Sequence, residues 1–232
     1  MKTKKDAVAI IPARGGSKRI AKKNIKEFHG KPIIAYSIEL ALKSNLFERV
    51  IVSTDDSDIA EISKEYGAEI PFIRPDNISD DFSTIDDVLI HALKEINSSC
   101  KYSCTILPTA PFLKMEYLIS GYEHIKKNNL VNTFSACAMS FTIQRAFKLN
   151  SDGRCVMFNP ENFTKRSQDF EEAYQDAGQF YWTHLKNKKK NHIMFGDKSF
   201  PIIIPKYLVQ DIDSMDDWYR AELMYEAVLK SS

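Results

Sequence analysis

Three cations, Arg14, Lys18 and Lys23, stand around two adjacent glycines in the run Ile10-Ile11-Pro12-Ala13-Arg14-Gly15-Gly16-Ser17-Lys18-Arg19, which continues to Lys22-Lys23-Asn24. Glycine lets backbone N–H groups turn toward an anion with no Cβ in the way. The cations add charge that a neutral surface lacks. An apolar strand, Ala7 to Ile11, feeds the loop, as in α/β proteins that hold a polyphosphate. The spacing is neither G-x-G-x-x-G nor G-x-x-x-x-G-K-[ST], which argues against a dinucleotide oxidoreductase and a P-loop NTPase. It fits a nucleotidyltransferase, with a nucleoside triphosphate lying across the loop and losing pyrophosphate.

A second constellation lies near the other end of the chain. Asp211-Ile212-Asp213 falls where a strand is expected to end and the last helix to begin. In an extended chain, residues two apart project to the same side. Two carboxylates there, with Ile212 turned inward, make a candidate Mg²⁺ site, since Mg²⁺ takes one or two carboxylates and completes its shell with water and phosphate. For the pair alone, a helix cap formed by one of the aspartates is the better reading, since Asp is a favoured N-cap. The cationic loop tips the balance, because triphosphate transfer calls for both cation clamps and a metal.

Other polar clusters say less alone. Arg74-Pro75, followed by Ser79-Asp80-Asp81-Phe82-Ser83-Thr84, reads as a surface cation and a helix N-cap. Leu107-Pro108-Thr109-Ala110-Pro111-Phe112 is a rigid loop at the carboxyl edge of a sheet, where α/β proteins bind ligands. The stretch from Arg166 to Gln179 is dense in hydrogen-bonding side chains. Lys186 and Lys188-Lys189-Lys190 read as a solvated basic run. None of His29, His91, His124, His184 or His192 pairs with a cysteine or serine in a catalytic motif.

The elements that must position these residues alternate between strand and helix signals, which predicts an α/β fold with a mostly parallel sheet and helices on both faces. Ile34, Ile38, Ala41 and Leu42 share one helical face. Arg49 to Ser53 is a strand, and Asp55-Asp56 after it suits an N-cap. Helices are expected from about Thr84 to Ile96 and from Met115 to Lys127, and strands at Tyr102–Leu107, Thr133–Met139, Ile202–Ile204 and Leu208–Ile212. A last helix carries Trp218, Ala221, Tyr225 and Val228 on one face. The rhythm breaks over residues 140–176, which hold a hairpin around Asp152-Gly153 and many charged and aromatic residues. We read this span as an excursion serving oligomerisation, set into a core of residues 1–139 and 177–232.

Composition narrows the class further. A chain of 232 residues can bury a substantial core, and its net charge of +1 gives no field to draw it onto nucleic acid or an anionic membrane. The four cysteines show no C-x-x-C and no zinc spacing. With neither a signal peptide nor a segment long enough to span a bilayer, the expectation is a soluble, cytoplasmic protein.

Taken in order, the residues Ile11-Pro12-Ala13-Arg14-Gly15-Gly16-Ser17-Lys18, Lys23-Asn24-Ile25, Gly30-Lys31-Pro32, Val52-Ser53-Thr54-Asp55, Arg74-Pro75, Thr109-Ala110-Pro111 and Asp211-Ile212-Asp213 closely resemble the CMP-sugar synthetases that activate nonulosonic acids. The resemblance runs nearly end to end. It implies a Rossmann-like core whose excursion swaps across a homodimer, and transfer of CMP from CTP to the anomeric hydroxyl of the sugar. Within the family, Arg166-Ser167-Gln168-Asp169, Glu171-Glu172-Ala173-Tyr174 and Asp176-Ala177-Gly178-Gln179-Phe180-Tyr181-Trp182 imply pseudaminic acid as that sugar. Sialic acid synthetases have an asparagine-glycine pair where Ala177-Gly178 stands, and a sugar-contacting glutamine where Leu107 stands.

The same resemblance implies the roles. Arg14, Lys18 and Lys23 neutralise the phosphates, and Asp211 and Asp213 hold Mg²⁺, Asp213 being critical for turnover. Ala13, Gly15, Gly16, Ser17 and Asn24 contact the nucleotide, with Arg74 reading cytosine and Ser83 or Thr84 assisting. Thr109, Ala110, Arg166, Gln168, Gln179 and Tyr181 contact the sugar, Arg166 from the partner subunit. The alternatives are a synthetase for legionaminic or N-acetylneuraminic acid or an eight-carbon keto-acid, a glycosyltransferase with a D-x-D metal site, and a non-catalytic nucleotide-binding protein.

Overall fold

The computed structural model describes residues 5–188 and 193–230. Lys189, Lys190 and His192 lie outside the described residues. The elements run β1 (Ala7–Pro12), β2 (Glu27–Phe28), β3 (Lys31–Pro32), α1 (Ile33–Lys43), β4 (Arg49–Ser53), α2 (Ser57–Glu65), α3 (Ile85–Glu95), β5 (Tyr102–Ile106), α4 (Met115–Lys127), β6 (Asn132–Ala138), β7 (Phe147–Leu149), β8 (Cys155–Met157), β9 (Tyr174–His184), β10 (Ser199–Ile203) and α5 (Met215–Lys230).

Six strands form one sheet in the order β10-β6-β9-β5-β1-β4. All neighbours are parallel except β9, which runs antiparallel to both β5 and β6. The reason is topological. β6 ends at the carboxyl edge and the chain returns from the excursion without a crossover helix, so its next strand must run the opposite way. β1 is buried on both faces, as a central parallel strand should be. Ala7, Ala9 and Ile11 pack with Ile34 and Ile38 of α1, Ile59 of α2 and Leu118 and Ile125 of α4. Val8 and Ile10 pack on the other face with Leu89 and Ala92 of α3. A separate cluster of Phe28, Ile33, Phe112, Ile212 and Trp218 fastens α5 beside the short β2–β3 hairpin.

The structure corrects the sequence reading at three points. Leu42 is exposed, so the α1 stripe is Ile34, Ile38 and Ala41. Residues 174–176 belong to the sheet, pairing Tyr174 with Ala138, Gln175 with Cys137 and Asp176 with Ala136. Leu208–Ile212 forms no strand. Pro205 opens a single tight turn at Lys206–Leu208, and an irregular chain then leads to α5.

Residues 140–173 project as irregular chain and the β7–β8 hairpin. No helix among the described residues is long and apolar enough to cross a membrane.

Candidate functional site

The loop after β1 is pinned at several points. Ala13 N–H bonds the Ser53 carbonyl at 2.9 Å, prolonging the β1–β4 pairing, and the buried Asn24 donates to the Arg14 carbonyl at 2.9 Å. Gly15 donates its N–H to Asp55 at 3.0 Å. A Cβ at Gly15 would lie 2.6 Å from Asp56 Oδ2 and 2.8 Å from its Cβ, so this position requires glycine. Asp56 cannot give way freely, because its carboxylate caps α2 through Ile59 N–H at 3.0 Å. At Gly16 a Cβ would meet nothing within 4 Å, which leaves that part of the loop open.

Every cation of the loop that lines the cleft is held by a carboxylate. Arg14 pairs with Asp81 at 2.8 Å and donates to the Asp80 carbonyl at 2.7 Å, while Lys18 reaches Asp81 at 2.5 Å. Arg19 meets Asp213 at 2.8 Å; Lys23 lies 3.4 Å from the same carboxylate and donates to the Ile212 carbonyl at 2.7 Å. The hydrogen bonds from its two cations, Lys18 first, hold the Asp81 carboxyl below the usual carboxylate range. Together these groups line a cleft of about 410 Å³, shared with Asn24, Pro108 and Thr109.

The carboxylates of Asp211 and Asp213 face different clefts. Asp213 lines the cationic one, and Asp211 lines a second of about 770 Å³ with Leu107, Asp176, Tyr181, Lys206 and Arg220. Between them Ile212 is buried in the α5 cluster. Neither aspartate caps α5. Ser214 and Asp217 do so reciprocally, Asp217 accepting from Ser214 N–H at 2.9 Å and Ser214 Oγ accepting from Asp217 N–H at 3.3 Å. Burial raises the Asp211 pKa, the Asp213 charge raises it further, and Lys23 and Arg19 offset part of this. Among the described residues no group of three or more His, Cys, Asp and Glu could hold a metal ion. Two oxygen-donor carboxylates that repel each other do suit Mg²⁺, which draws its remaining ligands from water and phosphate.

Arg74 is buried with 4% exposure, and its Nε and one terminal nitrogen have no partner. Its nearest counter-charge is Asp55 at 3.7 Å. Burial lowers its pKa, an effect that Asp55 opposes and Arg14 reinforces.

The remaining sequence-nominated residues divide. Ser17 lines the cationic cleft with Thr109. Ser83 donates to Asp80 at 2.6 Å and Thr84 closes a capping box with Asp87, so both hydroxyls serve local structure, and neither residue lines either of the two clefts. Ala110 packs into the core. Gln179 is buried and donates to the Leu208 carbonyl at 2.6 Å, tying β9 to the chain leading to Asp211. Tyr181 lines the larger cleft and donates to Asp176 at 2.6 Å. Arg166 pairs with Asp169 at 2.8 Å on the exposed excursion, and neither it nor Gln168 lines either cleft of its own chain. Sequence reasoning missed Arg19, Asp55, Asp81, Asp176, Lys206 and Arg220 as contributors. Arg19 stood in the cationic run, and Asp81 in the polar cluster after Arg74. Lys206 and Arg220 carried no local signal, since only the fold brings them to the cleft.

Residues 8–201 match the model of the cytidylyltransferase family. The chain is 40% identical over 222 residues to the pseudaminic acid cytidylyltransferase of Campylobacter jejuni, covering 94% of this chain and 96% of that one. It is 31% identical to the CMP-N,N'-diacetyllegionaminic acid synthase of Legionella pneumophila, with 94% and 96% covered. Among solved structures, CMP:2-keto-3-deoxy-manno-octonic acid synthetase complexed with CTP superposes with a TM-score of 0.70 at 17% identity, over 96% of this chain and 99% of that one, a likeness of fold.

Proposed function

This chain belongs to the cytidylyltransferase family, and from that premise we propose that it transfers CMP from CTP to the anomeric hydroxyl of pseudaminic acid. One observation carries the reading: the cationic loop after β1 and Asp213 before α5, 190 residues from Lys23, meet on one cleft, while Asp211 lines the neighbouring one. The Campylobacter relative supports pseudaminic acid as the sugar.

The triphosphate lies across the loop, where Arg14, Lys18, Arg19 and Lys23 exchange their carboxylate partners for phosphate oxygens. Asn24 holds the loop backbone at Arg14. The unpartnered nitrogens of Arg74 take the acceptor edge of cytosine, and Ala13 to Gly15 supply backbone beside it. The sugar acid takes the neighbouring cleft, so that its anomeric oxygen reaches the α-phosphorus at the boundary marked by Asp211 and Asp213. That oxygen forms the new P–O bond as the bond to the β-phosphate oxygen breaks, and pyrophosphate leaves toward the cations. The hydroxyl proton passes to solvent, and no side-chain nucleophile takes part. Asp211 and Asp213 would hold a Mg²⁺ ion, which would supply Lewis-acid chemistry: a lower pKa for the sugar hydroxyl and neutralisation of phosphate charge.

The excursion is the proposed dimer contact. It exposes the large apolar side chains Phe141, Phe147, Leu149, Phe158 and Phe163, at 57–85% of their surface, which a second copy would cover. In such a dimer Arg166 would enter the partner's larger cleft. The direct test incubates the protein with CTP, MgCl₂ and a panel of keto-sugar acids and scores pyrophosphate. Release dependent on pseudaminic acid is expected. Release only with an eight-carbon keto-acid, or none with any acid, refutes the proposal.

A further inference from the structure

The larger cleft contains a carboxylate that the proposed reaction does not use. Asp176 lies on β9, just before the Gly178 position, and both of its oxygens are fixed from within the protein. Oδ1 accepts the Gly178 N–H at 2.9 Å, and Oδ2 accepts the Tyr181 hydroxyl at 2.6 Å. The first bond depends on Gly178, whose φ of +61° lies in the region that favours glycine. The second depends on Tyr181, which is buried at 7% exposure. Burial, the bond to Asp176 and the negative charge of Asp211 hold the phenol protonated, so it remains a donor.

A carboxylate has about four acceptor positions, and two are filled here. Among the described residues no lysine or arginine pairs with Asp176, although Lys206 and Arg220 line the same cleft. Lys206 donates to the Met139 carbonyl at 2.7 Å, and Arg220 contacts Gln210 at 3.2 Å and Asp217 at 3.4 Å. The cleft therefore has a fixed anionic acceptor on one strand and two cations on other segments. A ligand that is itself an anion cannot place its carboxylate against Asp176. It must offer a neutral N–H or O–H donor there and leave its charge to the cations.

We infer that Asp176, positioned by Tyr181 and Gly178, is a specificity-determining residue that accepts a hydrogen bond from an amide N–H or hydroxyl of the sugar acid. The inference rests on the reading of this cleft as the sugar site and adds the residue by which one nonulosonic acid is told from another. Asp176 is exposed to solvent in the open cleft, so a sugar acid seated over it displaces its water and must replace it with a donor; an isomer that points its donor elsewhere leaves that side of the carboxylate unsatisfied.

The test compares kcat/KM for pseudaminic acid and N,N'-diacetyllegionaminic acid, with KM for CTP measured alongside, in wild type, Asp176→Ala, Asp176→Asn and Tyr181→Phe. Asp176→Ala is expected to lower kcat/KM for pseudaminic acid by about 10- to 100-fold, in line with a lost bond to a charged group, and to shrink the preference between the two acids. KM for CTP should stay within about twofold, since Asp176 does not line the nucleotide cleft. Asp176→Asn keeps the shape and one acceptor, so it should fall between and carries the test should the alanine variant not fold. Tyr181→Phe should raise KM for the sugar with little change in kcat, as expected of a positioning residue. An unchanged preference in folded Asp176 variants overturns the inference while leaving the proposed reaction standing. A wild-type protein inactive with every nonulosonic acid overturns the reaction and the inference together.

Discussion

Replacing Arg74 by methionine should separate stability from nucleotide recognition, and the two responses should point in opposite directions. The guanidinium is almost fully buried, two of its nitrogens lack partners, and its counter-ion is 3.7 Å away. Each unsatisfied buried donor costs about 1–3 kcal/mol, which the attraction to Asp55 offsets only in part. Methionine fills similar volume and removes those donors, and Asp55 keeps the Gly15 N–H at 3.0 Å. Stability without ligand should therefore move by less than about 1 kcal/mol, or rise. Binding of CTP should suffer by contrast. A hydrogen bond between a charged donor and the cytosine edge contributes about 1.5–3 kcal/mol, equivalent to about 10- to 150-fold in Kd. Discrimination against UTP should also weaken, because uracil turns a donor N–H toward the site where cytosine has an acceptor. Arg74→Lys keeps the charge without the planar fork and should recover only part of the loss. Titration calorimetry with CTP and UTP, with chemical denaturation of the free protein, reads all of this. If Arg74→Met binds CTP within twofold of wild type but unfolds several kcal/mol more easily, Arg74 is a strut for Asp55 and the cytosine assignment is wrong.

The acidic pair gives the next expectations. Asp211 has a raised pKa, so between the ordinary carboxylate pKa and that raised value the native state binds more protons than the unfolded chain, and stability falls as pH climbs through this window. Asp211→Asn should therefore melt higher than wild type at neutral pH without metal, while losing the melting shift that MgCl₂ gives wild type. Asp213→Asn should abolish turnover with the fold intact by circular dichroism, and near-normal activity with Mg²⁺ would refute its role. Gly15→Ala should cost about 1–2 kcal/mol through displacement of the Asp56 cap and raise KM for CTP, measured by denaturation and steady-state kinetics. Asp81→Asn should tighten CTP binding about two- to fivefold, an effect fading with salt, because the variant frees Arg14 and Lys18; weaker binding would show that Asp81 contacts the ligand.

The central strands and most helices were legible because local rules and burial agree there. The doubly buried β1 and the Val50–Val52 centre of β4 read as continuous apolar runs, and Asp56 and Thr84 announce α2 and α3 by their caps. The direction of β9 was not legible, since strand pattern carries no sign and only the path of the chain through the excursion sets it. Leu208–Ile212 carries Leu208, Val209 and Ile212 as β-compatible apolar residues but finds no neighbouring strand to pair with. In the site, the loop and the acidic pair were visible as charged runs beside element ends. Their partners were not, because an ion pair such as Arg19–Asp213 joins residues that sequence separation hides.

Those ion pairs bear on how the site works. Without ligand, Asp81 neutralises Arg14 and Lys18, and Asp213 neutralises Arg19 and Lys23. In the proposed reading each carboxylate holds the cations that would otherwise face a phosphate oxygen, and the free site stores no large uncompensated positive field. Binding of a triphosphate is then an exchange of anions, and the carboxylates it releases differ in fate. Asp213, freed from its two cations, would repel Asp211 across the boundary between the clefts, which is the condition under which a divalent cation binds most favourably. Asp81 lies on an exposed loop, and the neighbouring Asp80 carboxylate is already taken up by Phe82 N–H, Ser83 N–H and the Ser83 hydroxyl. On the proposed reading the ligand that discharges the cations would also complete the metal site, and nucleotide and metal should bind with positive coupling: CTP affinity should rise with MgCl₂ in wild type and lose that dependence in Asp213→Asn. Equal Mg²⁺ dependence of CTP binding in the two proteins would break this link between the two ends of the chain.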